Sequence, residues 1–374
     1  MKGTQLMTIR LFLLAMMSIC MFGCNATQTQ QSENELWINP KCKPLGLDKI
    51  GPFVMPDEKS ILCIENNSAF ISIDEGKSWQ SHQIASEEKL KASNEQAIIK
   101  TSDGVIVAAF MNFADDKVWG WDKEKNQPIE GVRLTVWTVR SFDGGKTWVD
   151  FQRIQDGYCG AVRDMIETKD GRLVLVSQLM TYPQPYHTTL TYISDDKGKS
   201  WKASNIIDIG GRGHHDGIIE GTVVQLKDGR IWLVMRTNKD CFWQAFSKDG
   251  LNWTDIGAAN ISTSSSPAYI HRLESGRLIM AYNQLYPEGK NEYRRFSSVY
   301  SVDPGSWHRE ELSVALSDDD GKNWTKPVVI ARQKDKRLSY PYILEREPGV
   351  VWITTMQGRL AISLNEKDFC KDKD

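Results

Sequence analysis

The sequence predicts an all-β fold: a six-bladed β-propeller of four-stranded antiparallel blades with Asp-box turns. The first observation is a short motif that occurs five times, at Ser72–Trp79, Ser141–Trp148, Ser194–Trp201, Ser247–Trp253 and Ser317–Trp324. The second is its spacing, since Trp148, Trp201 and Trp253 follow one another at intervals of 53 and 52 residues, which suits one blade. The third is a series of short Val- and Ile-rich segments, with no stretch of helical periodicity between them.

Each Asp box is typical of a hairpin turn. Its Asp can accept backbone N–H groups across the turn, its Gly allows a positive φ, and its Trp can fold back between adjacent sheets. The five carboxylates are Asp74, Asp143, Asp196, Asp249 and Asp319. We expect the boxes to be structural and distant from any active site.

The β-rich segments complete the count of blades. They are Ser102–Phe110, Lys169–Leu179, Lys227–Thr237, Ser275–Gln284 and Pro348–Met356, and a further blade around Ile61–Trp79 makes six. The two longer intervals between box tryptophans, 69 and 71 residues, predict blades with loop insertions. Because an open ring would leave unpaired edges, we expect a strand near Leu36–Asn39 to pair beside Arg359–Leu364 and close it.

The first residues are typical of an export signal. Lys2 and Arg10 precede the apolar stretch Leu11–Phe22, which at 12 residues is too short to span a bilayer. The segment ending at Cys24 resembles a bacterial lipobox, which implies cleavage before Cys24 and its lipidation. We therefore divide the chain into a lipoprotein signal peptide (1–23), a polar tether (24–36) and the propeller (37–374). An ordinary secretory signal is the alternative, and either one predicts export, with the lipid form anchored to a bacterial membrane, facing the periplasm or the cell surface.

Composition excludes several classes of function. The net charge of −2 offers no basic surface for nucleic acid, so none is expected as a partner. Cysteines lack the CxxC or Cys/His spacing of a zinc site, so we expect no metal and no cofactor. A disulfide between Cys42 and Cys370, near the two ends that should meet, is one option in an oxidising compartment.

Residues at one mouth of the central channel are the candidates for chemistry. Glu220 opens an inner strand, and Arg236 lies in an apolar run after the following turn, where a charge needs a partner or a ligand. Arg309 precedes the fifth box, and Tyr340 and Tyr342 precede the last inner strand. The alternatives are a structural ion pair for Arg236 and ordinary packing for the tyrosines.

One insertion and one polar cluster add further candidates. The insertion Phe113–Gly131 carries carboxylates beside two tryptophans, although a charged surface loop would look the same; the side chains are Asp115, Asp116, Asp122, Trp119 and Trp121. The cluster before Glu220 contains Arg212, His214, His215 and Asp216. Adjacent histidines are more often loop residues than metal ligands.

This order of residues resembles the sialidases, six-bladed Asp-box propellers that cleave terminal sialic acids. The resemblance covers essentially the whole mature chain, with Glu220 and Arg236 16 residues apart and Tyr340 31 residues beyond Arg309. It implies that Tyr340 is the nucleophile, Glu220 its base, and Asp116 the acid/base, chosen over Asp115 and Asp122 by position alone. It also implies that Arg236 and Arg309 bind the substrate carboxylate, since guanidinium groups bind carboxylates bidentately.

One position departs from the sialidase pattern. The first arginine of that family falls on Asn94-Glu95-Gln96 here, so the three-arginine cluster is incomplete unless Arg163 or Arg212 substitutes.

Three functions therefore stay open. The first is a monomeric sialidase-like exo-glycosidase that removes terminal sialic acid or a related acidic sugar from glycans. The second is a hydrolase or lyase acting on another polysaccharide, with His214 or His215 and Tyr340 in the chemistry. The third is a non-catalytic surface glycan-binding lipoprotein that uses Trp119 and Trp121 but not Tyr340 or Glu220.

Overall fold

The computed structural model describes residues 35–114, 120–182, 184–296 and 301–370. The predicted signal peptide, the lipidation site Cys24 and the acid/base candidate Asp116 lie outside the described residues, so these interpretations stay predictions. Across the described segments, no helix has the length and apolar character needed to span a membrane.

The described chain is built almost entirely from strands, with a single turn of 3₁₀ helix at Glu366–Phe369. In chain order the strands are β1 (Trp37–Ile38), β2 (Cys42–Pro44), β3 (Ile61–Glu65), β4 (Ser68–Ser72), β5 (Gln80–Gln83), β6 (Ala92–Lys100), β7 (Ile106–Asn112), β8 (Trp121–Asp122), β9 (Gln127–Pro128), β10 (Val136–Ser141), β11 (Val149–Gln155), β12 (Met165–Glu167), β13 (Leu173–Met180), β14 (His187–Ser194), β15 (Lys202–Ala203), β16 (Ile219–Gln225), β17 (Ile231–Arg236), β18 (Cys241–Ser247), β19 (Thr254–Ser262), β20 (Tyr269–Arg272), β21 (Leu278–Tyr282), β22 (Arg295–Phe296), β23 (Gly305–Ser306), β24 (Glu311–Ser317), β25 (Val328–Arg332), β26 (Ser339–Glu347), β27 (Val350–Gln357) and β28 (Ala361–Asn365).

These strands form the six antiparallel blades that the sequence predicts. From the inner strand outward the blades are β3-β4-β5, β6-β7-β10-β11, β12-β13-β14-β15, β16-β17-β18-β19, β20-β21-β24-β25 and β26-β27-β28-β2. The first blade has three strands, and the other five have four or more. The two long intervals between box tryptophans contain the extra hairpins β8-β9 and β22-β23, which confirms the predicted insertions.

In the second to sixth blades, most of the second strand is buried on both faces. All six residues of β17 are buried, as are all seven of β7, because neighbouring blades cover both sides of the sheet. This explains why these strands are continuous apolar runs rather than alternating ones. The turn before β17 uses Gly229, whose φ of 91° is one that side chains resist.

The Asp boxes are structural turns, as predicted. In the fourth box Asp249 accepts a hydrogen bond from the Ser247 hydroxyl (2.9 Å) and others from the backbone N–H groups of Leu251 and Asn252 (both 2.9 Å). Trp253 is buried between the third and fourth blades, where its indole N–H donates to the Thr191 hydroxyl at 2.8 Å. The box thus fixes both the turn and the contact between two blades.

We expect Asp249→Ala to lower the free energy of unfolding at pH 7 by about 1.5–3 kcal/mol, the range for hydrogen bonds to a charged group. Partial burial disfavours the charge of Asp249, but hydrogen bonds from Asn252 and Leu251 outweigh it and lower its pKa to about 2. Because the folded pKa is depressed, this stabilisation is present above the unfolded value of 3.8 and is lost as the pH falls towards 2. Urea unfolding at pH 7 and pH 3 measures it, with exposed Lys248→Ala as control. A difference from wild type that grows on acidification would contradict the assignment.

Ring closure occurs, but with other residues than the sequence suggested. The strand paired with β28 is β2, in the register Cys42↔Leu364, whereas β1 pairs with β25 of the fifth blade. The prediction that Leu36–Asn39 pairs with Arg359–Leu364 is therefore wrong. The chain turns after Asn39, whose carbonyl accepts the N–H of Cys42 (2.8 Å), and this turn passes the chain from the fifth blade to the sixth.

The cysteines near the two ends pack into one core but are not bonded. Cys42 is buried in the cluster formed by the fifth and sixth blades, and Cys370 packs against the same cluster. Both are free thiols, so the structure does not contain the disulfide considered above.

Candidate active site

The candidate residues meet at one end of the central channel. In antiparallel blades the start of an inner strand lies beside the end of the second strand, as the pairs Ile219↔Arg236 and Ser339↔Gln357 show. Glu95, Glu220 and Tyr340 lie near the starts of β6, β16 and β26, and Arg236 ends β17. The propeller therefore gathers side chains that are far apart in the sequence.

Tyr340, Glu220 and Arg236 form the centre of the site. The Tyr340 hydroxyl donates to Oε1 of Glu220 at 2.8 Å, and Nη1 of Arg236 donates to Oε2 of the same carboxylate at 2.8 Å. Nη1 of Arg236 also lies 3.3 Å from the Tyr340 hydroxyl. The Arg236 side chain is 1% exposed and that of Glu220 is 9% exposed, so this is a buried ion pair with a tyrosine bound to its carboxylate.

The backbone at both Glu220 and Tyr340 is strained. Their φ angles are 52° and 62°, in the left-handed region that residues other than glycine rarely occupy. Such conformations cost on the order of 1–3 kcal/mol each and persist only where the surroundings impose them. Their occurrence at the two residues that share a hydrogen bond favours a functional geometry over ordinary packing.

The protonation states suit a base and an acid that share one proton. Burial raises the pKa of Glu220, but the attraction of Arg236 outweighs this effect and holds the pKa below its usual value, so the carboxylate is ionised at neutral pH. Burial and the Glu220 charge raise the pKa of Tyr340, which stays protonated. Tyr340 can therefore act as a nucleophile only if Glu220 accepts its proton during the reaction.

Ser265 joins the two other predicted components, Arg236 and Arg309. Its hydroxyl accepts from Nε and Nη2 of Arg236 (3.0 and 2.9 Å), and its carbonyl accepts from Nη2 of Arg309 (2.6 Å). The Ser265 hydroxyl in turn donates a hydrogen bond to Oδ1 of Asn238 (2.5 Å). Nδ2 of Asn238 donates to Oδ1 of buried Asp216 (3.2 Å). This network fixes both arginines at the channel mouth.

Arg163 joins the cluster and Arg212 does not. The Arg163 guanidinium lies 5.0 and 4.9 Å from the ring centroids of Tyr340 and Tyr342, and its Nη2 donates to the Pro341 carbonyl at 2.8 Å. Arg212 is exposed, and no contact in the described part of the chain links its side chain to the cluster. Arg163 is therefore the better of the two predicted substitutes for the missing arginine.

Histidines and aromatic rings form one wall beside the site. His214 lies 5.0 Å from His187 and 4.7 Å from His215 between ring centroids, and Trp121 contacts its edge at 5.8 Å. Burial lowers the pKa of His214 to about 4, so its ring is neutral at pH 7. No group of three or more His, Cys, Asp or Glu side chains within the described segments could hold a metal ion.

Some of the site could not be found from the sequence. Trp307 lies 4.5 Å from the Arg309 guanidinium, measured to its ring centroid, and Gln357 accepts from Nη1 of Arg309 at 3.1 Å. The only signal for them in the sequence is their position: Trp307 comes shortly before β24, the third strand of its blade, and Gln357 ends β27, the second strand of its blade. The four residues predicted to converge, Glu220, Arg236, Arg309 and Tyr340, do converge.

Comparisons with known proteins agree with this fold. The family model described as BNR repeat-like domain matches residues 59–353. No curated protein matches the chain.

Several solved structures are similar at low sequence identity. The Hadza microbial sialidase Hz136 has a TM-score of 0.59 and 16% identity, over 86% of this chain and 66% of that one. The NanB sialidase from Streptococcus pneumoniae has a TM-score of 0.54 and 14% identity, over 90% and 69%. The Penicillium chrysogenum α-L-arabinanase, complexed with arabinobiose, has a TM-score of 0.52 and 14% identity, over 83% and 91%. At sequence identities this low, the structural similarity establishes only that these chains share a fold.

Proposed function

The chain belongs to the family of BNR repeat-like domains, and we propose that it is a sialidase-like exo-glycosidase in which Tyr340 is the nucleophile. The observation that carries the proposal is the hydrogen bond of 2.8 Å from the Tyr340 hydroxyl to Glu220. The similarity to two sialidases supports the fold on which this chemistry depends.

In the first step the Tyr340 oxygen attacks the anomeric carbon and its proton passes to Glu220. The glycosidic bond breaks, and a general acid protonates the departing oxygen. Asp116 is the residue that the sialidase resemblance implies for that acid. In the second step water attacks the anomeric carbon and the bond from that carbon to the Tyr340 oxygen breaks. The water gives its proton to the carboxylate that protonated the departing oxygen in the first step, and Glu220 returns its proton to the Tyr340 oxygen. The configuration at the anomeric carbon is retained.

A tyrosine nucleophile suits a terminal sugar that carries a carboxylate. A carboxylate nucleophile would repel the charge of such a sugar, whereas a neutral tyrosine does not. Arg236 and Arg309 place positive charge beside Tyr340, where they can bind the sugar carboxylate. The proposed substrate is therefore a glycan ending in sialic acid or a related acidic sugar.

The test is hydrolysis by the full-length chain of 4-methylumbelliferyl glycosides. We expect fluorescence to be released from the sialic acid glycoside, with Glu220→Gln at least about a hundredfold slower because the base is lost. The panel should also contain glucuronide and α-L-arabinofuranoside, since one similar fold belongs to an arabinanase. No release from any glycoside by protein that unfolds cooperatively would contradict the enzymatic proposal.

A further inference from the structure

Glu95 is a carboxyl group that the proposed reaction does not use and that lies within electrostatic range of the arginine cluster. It lies near the start of β6, and the charges that act on it belong to Glu220, Arg163, Arg236 and Arg309. Within the described residues its carboxyl group makes no hydrogen bond or ion pair, although it is only partly exposed. A carboxyl group in such a position needs an explanation other than packing.

The cluster has more positive than negative charge. Arg236 is paired with the Glu220 carboxylate, whereas Arg309 and Arg163 donate to neutral oxygen atoms, those of Ser265, Gln357 and Pro341. A ligand with a negative charge would balance this excess, and a neutral ligand would not.

Buried donors also lack acceptors. Nε of Arg309 and both Nε and Nη1 of Arg163 have no hydrogen-bond partner among the described residues, and the two side chains belong to residues 3% and 2% exposed. Unsatisfied buried donors are costly, and most buried donors in native proteins have a partner, so we expect these three nitrogens to bind an acceptor on a ligand. A carboxylate, which only accepts hydrogen bonds, is the group that fits such donors.

The environment of Glu95 makes it a donor as well. Burial and the Glu220 carboxylate raise the pKa of Glu95 to about 8, against the opposing effect of the three arginines. At neutral pH Glu95 is therefore protonated and can donate a hydrogen bond. The other titratable groups that interact with it are Tyr158, Cys159, Tyr340 and Tyr342.

We propose that Glu95 is a specificity-determining residue, whose carboxyl group donates a hydrogen bond to the carboxylate of an acidic sugar. This inference rests on the proposed function. Glu95 would do with one O–H group what an additional arginine could do with a guanidinium group. Unlike an arginine, it becomes a repelling charge when it ionises, so the binding of acidic sugars should weaken in mildly alkaline solution.

Direct binding tests this contact without requiring turnover. Calorimetric titration of the full-length protein with N-acetylneuraminic acid, D-glucuronic acid and neutral D-galactose should be carried out from pH 6.5 to 9. For the acid that binds, we expect affinity to fall about tenfold between pH 7 and pH 9, as the protonated fraction of a group with a pKa near 8 does. The upper limit of pH 9 keeps Arg309 charged, since burial lowers its pKa only to about 10.

The decisive variant is Glu95→Gln, which keeps a donor but cannot ionise. Its affinity for the acid should be nearly constant from pH 7 to 9, while exposed Glu347→Gln, at the far end of β26, should behave like wild type. An equal pH dependence in wild type and Glu95→Gln would overturn the inference, as would binding of galactose in preference to both acids. Hydrolysis measured on the same samples separates the two proposals: acid binding with the expected pH dependence but no turnover would contradict the enzyme and not the role of Glu95.

Discussion

Tyr340→Phe should reduce kcat/KM by at least about a thousandfold, the scale of loss when a nucleophile that acts with its base is removed. The change deletes only the Tyr340 hydroxyl group, which donates a hydrogen bond to Glu220 at 2.8 Å and lies 3.3 Å from Nη1 of Arg236. The aromatic ring and its contact with the Arg163 guanidinium remain. Release of 4-methylumbelliferone, or of the sugar from a natural glycan, measures the effect.

Tyr342→Phe is the matched control. It lies two residues away on the same strand, is buried, and also contacts Arg163, but its hydroxyl donates to the backbone carbonyl of Asn94 at 3.0 Å. We expect it to lower stability by about 1 kcal/mol, typical of one hydrogen bond, and to change kcat/KM less than about tenfold. If the two variants lose activity equally, Tyr340 is a packing residue and the proposed mechanism is wrong. If Tyr340→Phe retains full activity, a different nucleophile is required.

The fold could be predicted because its signals are local and repeated. Each Asp box contains its own hydrogen-bond network within about eight residues, so the motif in the sequence is already the structural unit. The sequence predicts that the ring closes near the two ends of the chain, but it assigns the closing strand to the wrong residues. The reason is that β1 and β2 are only two and three residues long. Strands this short carry little pattern, and the turn at Asn39 decides which blade each one joins.

The sequence could predict a site residue only where that residue stands out from its neighbours in the sequence, such as a charged side chain within an apolar strand. Arg236 in an apolar run was such a case, and its partner is Glu220, as a buried charge requires. The sequence shows that Asn94-Glu95-Gln96 stands where the sialidase resemblance expects an arginine, but it does not single out Glu95, whose raised pKa depends on charges from several blades. Ser265, Gln357 and Trp307 are common residue types at common positions, and only the closed ring brings them to Arg309.

Arg236→Met should have the largest effect on stability. Removing one partner of a buried ion pair costs about 3–5 kcal/mol, because the remaining charge stays buried without compensation. Here the remaining charge is Glu220, whose carboxylate also accepts the Tyr340 hydroxyl. Urea unfolding at pH 7 measures the loss. Arg172→Met is the control, because its ion pair with Asp195 is partly exposed and should contribute less than about 1 kcal/mol.

The pH dependence of this loss distinguishes an unpaired charge from a simple packing defect. In wild type the Glu220 pKa is depressed, so the carboxylate stabilises the fold above its unfolded pKa of 4.5, and this contribution is lost as the pH falls through the folded value. In Arg236→Met the burial of Glu220 still raises its pKa, but the attraction of Arg236 that lowered it is gone. The pKa of Glu220 in the folded variant should therefore rise above 4.5. The destabilisation should therefore be smallest near pH 4 and grow towards pH 8, and Glu220→Gln/Arg236→Met should recover part of it without recovering activity. A loss of the same size at both pH values would mean that Arg236 stabilises the fold through its packing. The ion pair with Arg236 would then not explain why Glu220 is ionised, as a catalytic base must be.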